Sequence, residues 1–347
     1  MANVLVRWTA LLLAAASTLF GQREPSIIGD GWGLDHVLVM LPDASVLKDV
    51  FQAKLGFSPE VSGEKFPEDG LEHAIIWLPP TNVELLWPYQ EPTKLSELGR
   101  ALLAKAKSGG GPVAYNLDVS PATQAADVMK RLGIKVTLPP SLKVKTADGK
   151  EAPGDWQFVD IDPKYQAAHI LGVPGGAGVG FSEYQHNSYY LQPESFQESI
   201  KKSAKDPDPR RTTGEIHANT ARKLSSVWVA VPNAAEAVRQ SERFGFVARG
   251  ERYVKELGAK GREVQCGRGT IVFFESANPG SGLATAIKKN GLGPFGFSVA
   301  VHNLRAAKQV VENATNGRFA IEQFGNRSSF VVPASIAAGN FIEFVQE

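Results

Sequence analysis

The sequence predicts an α+β fold of four βαβββ modules, paired into two domains with curved mixed sheets. Three observations predict it. A strand, a capped helix, a glycine stop and then alternating strands occur four times along the chain. The spacing within the unit is nearly constant: His36, Ala114, Ser226 and Gly296 in the opening strands lie 20, 19, 19 and 21 residues before the glycines Gly56, Gly133, Gly245 and Gly317. The closing strands keep step as well, with 28 residues from Gly56 to Glu84, 28 from Gly245 to Phe273 and 26 from Gly317 to Glu343. The second copy takes 50 residues from Gly133 to Glu183, so it carries an insertion, placed in the Pro-, Lys- and Gly-rich stretch Pro139–Pro153.

In the first copy the strand is Leu34–Leu41 and the helix cap is Asp43. Val46, Leu47, Val50 and Phe51 recur at helical spacing. Gly56 suits the left-handed residue beyond a helix end. The second copy opens with Val113–Val119, caps at Ser120 with Pro121 as the first helical residue, and stops at Gly133. The third opens with Ser225–Val231, caps at Asn233 and stops at Gly245; the fourth opens with Phe297–Val301, caps at Asn303 and stops at Gly317. A single unit leaves a sheet edge and a sheet face uncovered, so the units are expected in pairs, each pair enclosing a concave side.

With 347 residues, 43% hydrophobic and 21% charged, the chain has material for two domains, and a net charge of +1 gives no reason to expect nucleic acid or an anionic membrane as partner. Residues 1–22 read as a secretory signal peptide: one Arg, an apolar run from Trp8 to Phe20, then small residues. The mature protein is therefore expected to be periplasmic or secreted, with no membrane contact after signal removal. Cys266 is the single cysteine, so no intrachain disulfide forms. The expected boundaries are an N-terminal domain at 31–192, a polar linker at 193–222 broken by Asp206-Pro207-Asp208-Pro209, and a C-terminal domain at 223–347.

Several stretches carry a family resemblance: the opening Gly33-Leu34-Asp35-His36-Val37, the stop Leu55-Gly56-Phe57, the closing Val83-Glu84-Leu85-Leu86, His217-Ala218-Asn219-Thr220-Ala221 ahead of the third copy, and Gly339-Asn340-Phe341-Ile342-Glu343-Phe344. In these the chain resembles the vicinal-oxygen-chelate superfamily, and within it the glyoxalase-like group, over about residues 31 to 347. The resemblance implies two glyoxalase-like domains and a divalent metal ion (Zn, Mn, Ni or Fe) in the cup of a paired unit, held by side chains of the first and last strands. Carried over by position, the N-terminal places are His36, Glu84, Ala114 and Glu183, of which His36, Glu84 and Glu183 have ligating chemistry. The C-terminal places are Ser226, Phe273, Gly296 and Glu343, where Glu343 alone is competent, so that half is expected to scaffold or gate.

Glu183 or Glu84 is the expected general base, and Asn116, Tyr115, His73 and Tyr184 the expected substrate cup. The glycine-rich Gly172–Gly180 lacks the Lys-Ser/Thr of a phosphate loop and reads as a loop near the cup's mouth. The leading expectation is an exported lyase or isomerase acting on a small oxygenated molecule. Two others stand beside it: a non-catalytic small-molecule-binding protein without a complete metal site, and a structural module in which His36 and Glu84 partner each other.

Overall fold

The computed structural model describes residues 26–28, 33–66, 70–89, 97–119, 121–140, 143–145, 151–153, 156–162, 178–184, 216–275 and 278–346, apart from the side chains at 62–66, 97–98, 143–145, 151–153, 156 and 184. The expected signal peptide, Ser120, residues 193–215 of the expected linker and residues 172–177 of the glycine-rich stretch lie outside the described residues. The first half runs β1 (Gly33–Met40), α1 (Leu47–Gln52), β2 (Glu60–Phe66), β3 (Leu71–Leu78), β4 (Thr81–Pro88), α2 (Glu97–Lys107), β5 (Gly111–Asp118), α3 (Ala122–Arg131), β6 (Val136–Thr137), β7 (Lys143–Lys145), β8 (Glu151–Pro153), β9 (Trp156–Phe158), β10 (Asp160–Ile161) and β11 (Val179–Tyr184). The second runs β12 (Ala221–Ala230), α4 (Ala234–Arg243), β13 (Val247–Val254), β14 (Ala259–Cys266), β15 (Gly269–Phe274), α5 (Gly282–Asn290), β16 (Gly293–Val301), α6 (Leu304–Thr315), β17 (Glu322–Phe324), β18 (Arg327–Val332) and β19 (Phe341–Gln346).

Two curved mixed sheets result, ordered β2-β3-β4-β1-β5-β11-β9 and β13-β14-β15-β12-β16-β19-β18-β17. Their centres are built alike. β1 is parallel to β4 and antiparallel to β5, and β5 is parallel to β11. In the second half β12, β15, β16 and β19 repeat that pattern. Alternation along the strands then sorts side chains onto two faces. Val37, Val39, Val83, Leu85, Val227, Val229, Phe273, Phe297 and Phe344 enter one core shared by both halves, where they meet the helices. Each fully buried large side chain there contributes roughly 2 kcal/mol of burial.

The helix signals hold with local changes. Asp43 Oδ1 accepts from Ser45 N at 2.8 Å, and the chain then winds into α1, a π-wound turn with Leu47 and Phe51 inward. Asn233 and Asn303 cap α4 and α6 by accepting from Glu236 N and Ala306 N. Pro121 is extended rather than helical, and the carboxylate of Glu183 takes the bond of Ala122 N instead. The fourth helix ends on Asn316 in the left-handed region, not on Gly317. The insertion at Pro139–Pro153 holds the β7–β8 hairpin.

Helices α2 and α5 are additions to the expected unit, and each closes one cup. Leu102 and Ala106 of α2 pack on Met40, Leu71 and Leu86, while Leu283 and Ala286 of α5 pack on Trp228, Val272 and Phe274. The stretch before β12 clamps the halves together. His217 Nε2–H donates to Trp77 O at 2.8 Å and its Nδ1 accepts from Ser58 N at 3.1 Å, and Asn219 Nδ2 donates to Leu55 O at 2.8 Å. Burial holds the His217 imidazole below its ordinary range, which suits this neutral bonding pattern.

Candidate functional site

The register of β1 against β5 decides the N-terminal site. Leu34 pairs with Leu117 and His36 with Asn116, so Asp35 is one extra residue on β1. In a regular strand Asp35 and His36 would point to opposite faces. The bulge re-aims the aspartate, and Asp35 Oδ2 lies 2.6 Å from His36 Nδ1. His36 sits on the concave face, where its Nε2 lies 3.9 Å from Glu84 Oε2 of the neighbouring β4. His73 of β3 shares that face and its Nδ1–H donates to Glu84 Oε1 at 2.9 Å. Trp77, also on β3, donates from Nε1 to Glu60 Oε2 at 2.7 Å.

The electrostatics follow from burial and neighbours. Burial alone would lower the His36 pKa, but the Asp35 hydrogen bond and the charges of Asp35 and Glu84 outweigh it and hold the imidazole above its ordinary value. Burial would raise Glu84, yet the His73 bond and the two histidines hold it below the usual carboxylate value. Behind the site, Arg268 of the C-terminal half reaches Asp35 Oδ1 at 3.3 Å and Asp118 Oδ2 at 3.1 Å, and donates from Nε to Leu34 O at 3.1 Å.

Asp118 is pushed up to about 8 by burial, which the shared Arg268 opposes and the Asp35 charge reinforces. The unfolded chain releases this proton near 3.8 and the folded chain near 8, so the stability linked to it is complete below the lower value and is lost as pH rises through the upper one. Stability is therefore expected to fall between pH 5 and pH 8 by up to about 1.4 kcal/mol per pH unit. Asp118→Asn should flatten that slope in urea titrations at the two pH values.

Sequence-predicted residues separate into those the fold brings together and those it does not. His36, Glu84 and His73 share the cup. Asn116 joins them and donates from Nδ2 to Ser182 Oγ at 2.8 Å. Tyr115 does not, because it points into the shared core and is fully buried. The side chain of Tyr184 lies outside the described residues. Glu183 is on the far face of β11 at the start of α3.

Matching the halves by register gives the four N-terminal places as His36, Glu84, Asn116 and Gly180, and the four C-terminal ones as Ser226, Val272, Ser298 and Glu343. Sequence spacing misplaced Ala114, Gly296, Phe273 and Glu183 because bulges and the insertion are invisible to it, and an odd slip flips a side chain to the other face. Gly180 therefore belongs to β11 rather than to a loop, and a Cβ there would come within 2.5 Å of Asn116 Oδ1.

The donor set can be set against the divalent metal that the sequence resemblance implies. His36 Nε2 and Glu84 Oε2 face each other across a gap that two ligands of one ion, each about 2 Å from it, would span. Their other polar atoms are engaged by Asp35 and His73, the outer-sphere arrangement that orients metal ligands. Asn116 is a weak donor and Gly180 none. Among the described residues no cluster of three or more His, Cys, Asp or Glu side chains is arranged to hold a metal ion. The residues present fit a two-donor site with open positions.

The C-terminal cup is filled instead. Arg252 Nη1 donates to Glu343 Oε1 and Oε2 at 2.8 and 2.9 Å, its Nε lies 3.3 Å from Glu263 Oε1, and its guanidinium stacks 5.2 Å above the Trp228 ring. Ser298 Oγ donates to Glu343 Oε2 at 2.6 Å. A guanidinium thus occupies the space before Glu343.

Curved sheets of this order, with paired cups, define a glyoxalase-like protein. The family model described as a Glyoxalase-like domain matches residues 34–245, and the chain belongs to that family. A triple mutant of 4-hydroxymandelate synthase from Streptomyces coelicolor is similar in fold, with a TM-score of 0.55 and 12% identity over 92% of this chain and 93% of that one. A single-residue variant of homoprotocatechuate 2,3-dioxygenase from B. fuscum gives a TM-score of 0.50 and 12% identity over 93% of this chain and 74% of that one. A hypothetical protein from Staphylococcus aureus gives 0.50 and 11% over 90% and 98%. No curated protein matches the chain.

Proposed function

We propose that the N-terminal cup is the active site of an exported lyase or isomerase acting on a small oxygenated substrate, with a divalent ion held by His36 and Glu84. The observation that carries this reading is the pairing of each donor with its own buried partner, His36 with Asp35 and Glu84 with His73, while His36 Nε2 and Glu84 Oε2 face each other in the cup. A bound ion there supplies Lewis acidity toward substrate oxygens. Glu84, kept ionised, takes a proton from substrate carbon or water. His36, oriented through Nδ1, keeps the Nε2 lone pair in the cup beside Glu84 Oε2, where it would hold the ion. Leu38 and Met40 on the same strand face, with α2 packed over one end, limit water in the cup.

A second reading has its own support. Gly180 and Asn116 fill two of the four ligand places without strong donors, which favours a small-molecule-binding protein that performs no chemistry. Metal content of untagged protein, offered Mn, Ni, Zn and Fe(II), separates the two. About one ion per chain, lost in His36→Ala and in Glu84→Ala, followed by turnover of a dicarbonyl or epoxide, is the expected result. No ion under any condition, with saturable ligand binding and no turnover, overturns the enzymatic reading in favour of the second.

A further inference from the structure

We infer that Arg268, contributed by the C-terminal half, is the positioning residue of the N-terminal site: by fixing Asp35 it fixes the ring orientation and tautomer of His36. The inference rests on the reading of His36 as a working residue of that cup. Arg268 is 7% exposed, and it reaches Leu34 O, Asp35 Oδ1 and Asp118 Oδ2. Asp35 thus has one oxygen on the guanidinium and the other on His36 Nδ1. With Asp35 Oδ2 2.6 Å from Nδ1 as its acceptor, the proton of a neutral His36 belongs on Nδ1 and the lone pair on Nε2, toward Glu84. The turn carrying Arg268 is seated on β1 by close backbone approach. Gly33 pairs with Gly267, and at φ +129° a Cβ on Gly33 would fall 1.9 Å from Cys266 O.

The pseudo-symmetry of the halves separates clamp from function. The corresponding β3–β4 turn of the N-terminal half docks on β12 in the same way, with Thr81 Oγ1 accepting from Leu224 N at 2.8 Å. By register its Pro80 stands where Arg268 stands, and the bulged residue of β12 is Ser225 where β1 has Asp35. Holding the halves together therefore needs no charge at this turn. Burying a guanidinium is costly unless it is fully paired, and the charged version occurs on the side that faces His36.

The test is imidazole nitrogen-15 NMR of the full-length chain. Wild type should show His36 as the Nδ1–H tautomer with a low-field, hydrogen-bonded proton. Arg268→Met combined with Asp118→Asn, which avoids leaving two acidic groups around a missing cation, should lose that proton signal and mix the tautomers while the chain remains folded. Arg268→Lys, which keeps the charge and loses the fork, should restore it in part, and it decides the question if the double variant does not fold. An unchanged His36 signal in a folded variant overturns the proposal. Mn(II) titration runs in parallel, with a roughly 10–100-fold weaker affinity expected in the variants. If wild type binds no Mn(II), the metal reading fails while the tautomer measurement still decides the role of Arg268.

Discussion

Arg252→Met is expected to cost about 3–5 kcal/mol of stability, which lowers the melting temperature on the order of 10 °C. The guanidinium it removes is 7% exposed and holds two carboxylates, Glu343 at 2% and Glu263 at 5% exposure. After the change Glu343 keeps a hydrogen bond from Ser298 and Glu263 keeps Arg327 Nη2 at 3.1 Å, but Glu343 has lost the cation that offset its burial. Pairing the change with Glu343→Gln should recover much of the loss, because the penalty comes from an uncompensated charge rather than from a missing contact. Ligand or metal binding in the N-terminal cup should be unchanged in both variants. A melting temperature for Arg252→Met within a degree or two of wild type would show that water, not Arg252, balances Glu343, and would remove the case for a filled C-terminal cup.

The repeat was legible because it is written in residues with local meaning. Asn233 and Asn303 cap helices wherever the chain turns into one, and Gly56, Gly133 and Gly245 all adopt positive φ. His36 and Glu84 were legible for a related reason, as titratable residues followed by apolar runs in strands must face a cavity or a partner. What stayed hidden depends on register and on distance in sequence. Strand alternation puts Asp35 on the face opposite His36, and no local pattern announces a bulge between Leu34 and His36. Glu183 was the nearest carboxylate to an expected position, but it lies three residues past Gly180 and on the opposite face. Arg268 is separated from Asp35 by more than 230 residues, so only the docking of one half's turn on the other half's strand brings them together. Asn116, two residues beyond Ala114, was expected in the substrate cup, and strand alternation from Ala114 puts it on the face of His36.

Glu84→Gln and Glu183→Gln are expected to part company, and by the widest margin of any pair in the protein. The sequence alone offers both as the general base. Glu84 Oε2 faces His36 Nε2 in the cup, and its carboxylate is kept ionised by His73 and His36. Glutamine keeps the shape and can still accept from His73, so the fold should survive while the base is lost. Turnover of the first dicarbonyl or epoxide that the protein accepts should fall by roughly 10²–10⁴. Glu183 caps α3 through Ala122 N at 2.7 Å. Its replacement by Gln should lower stability by about 0.5–1 kcal/mol, since an amide oxygen caps nearly as well but loses the charge at the helix terminus, and kcat/KM should stay within about twofold of wild type, far inside the loss that removal of a general base brings. Equal losses of turnover in the two variants would mean that β11 can present its far face to substrate, and the register-based assignment of Gly180 to the fourth place would have to be abandoned.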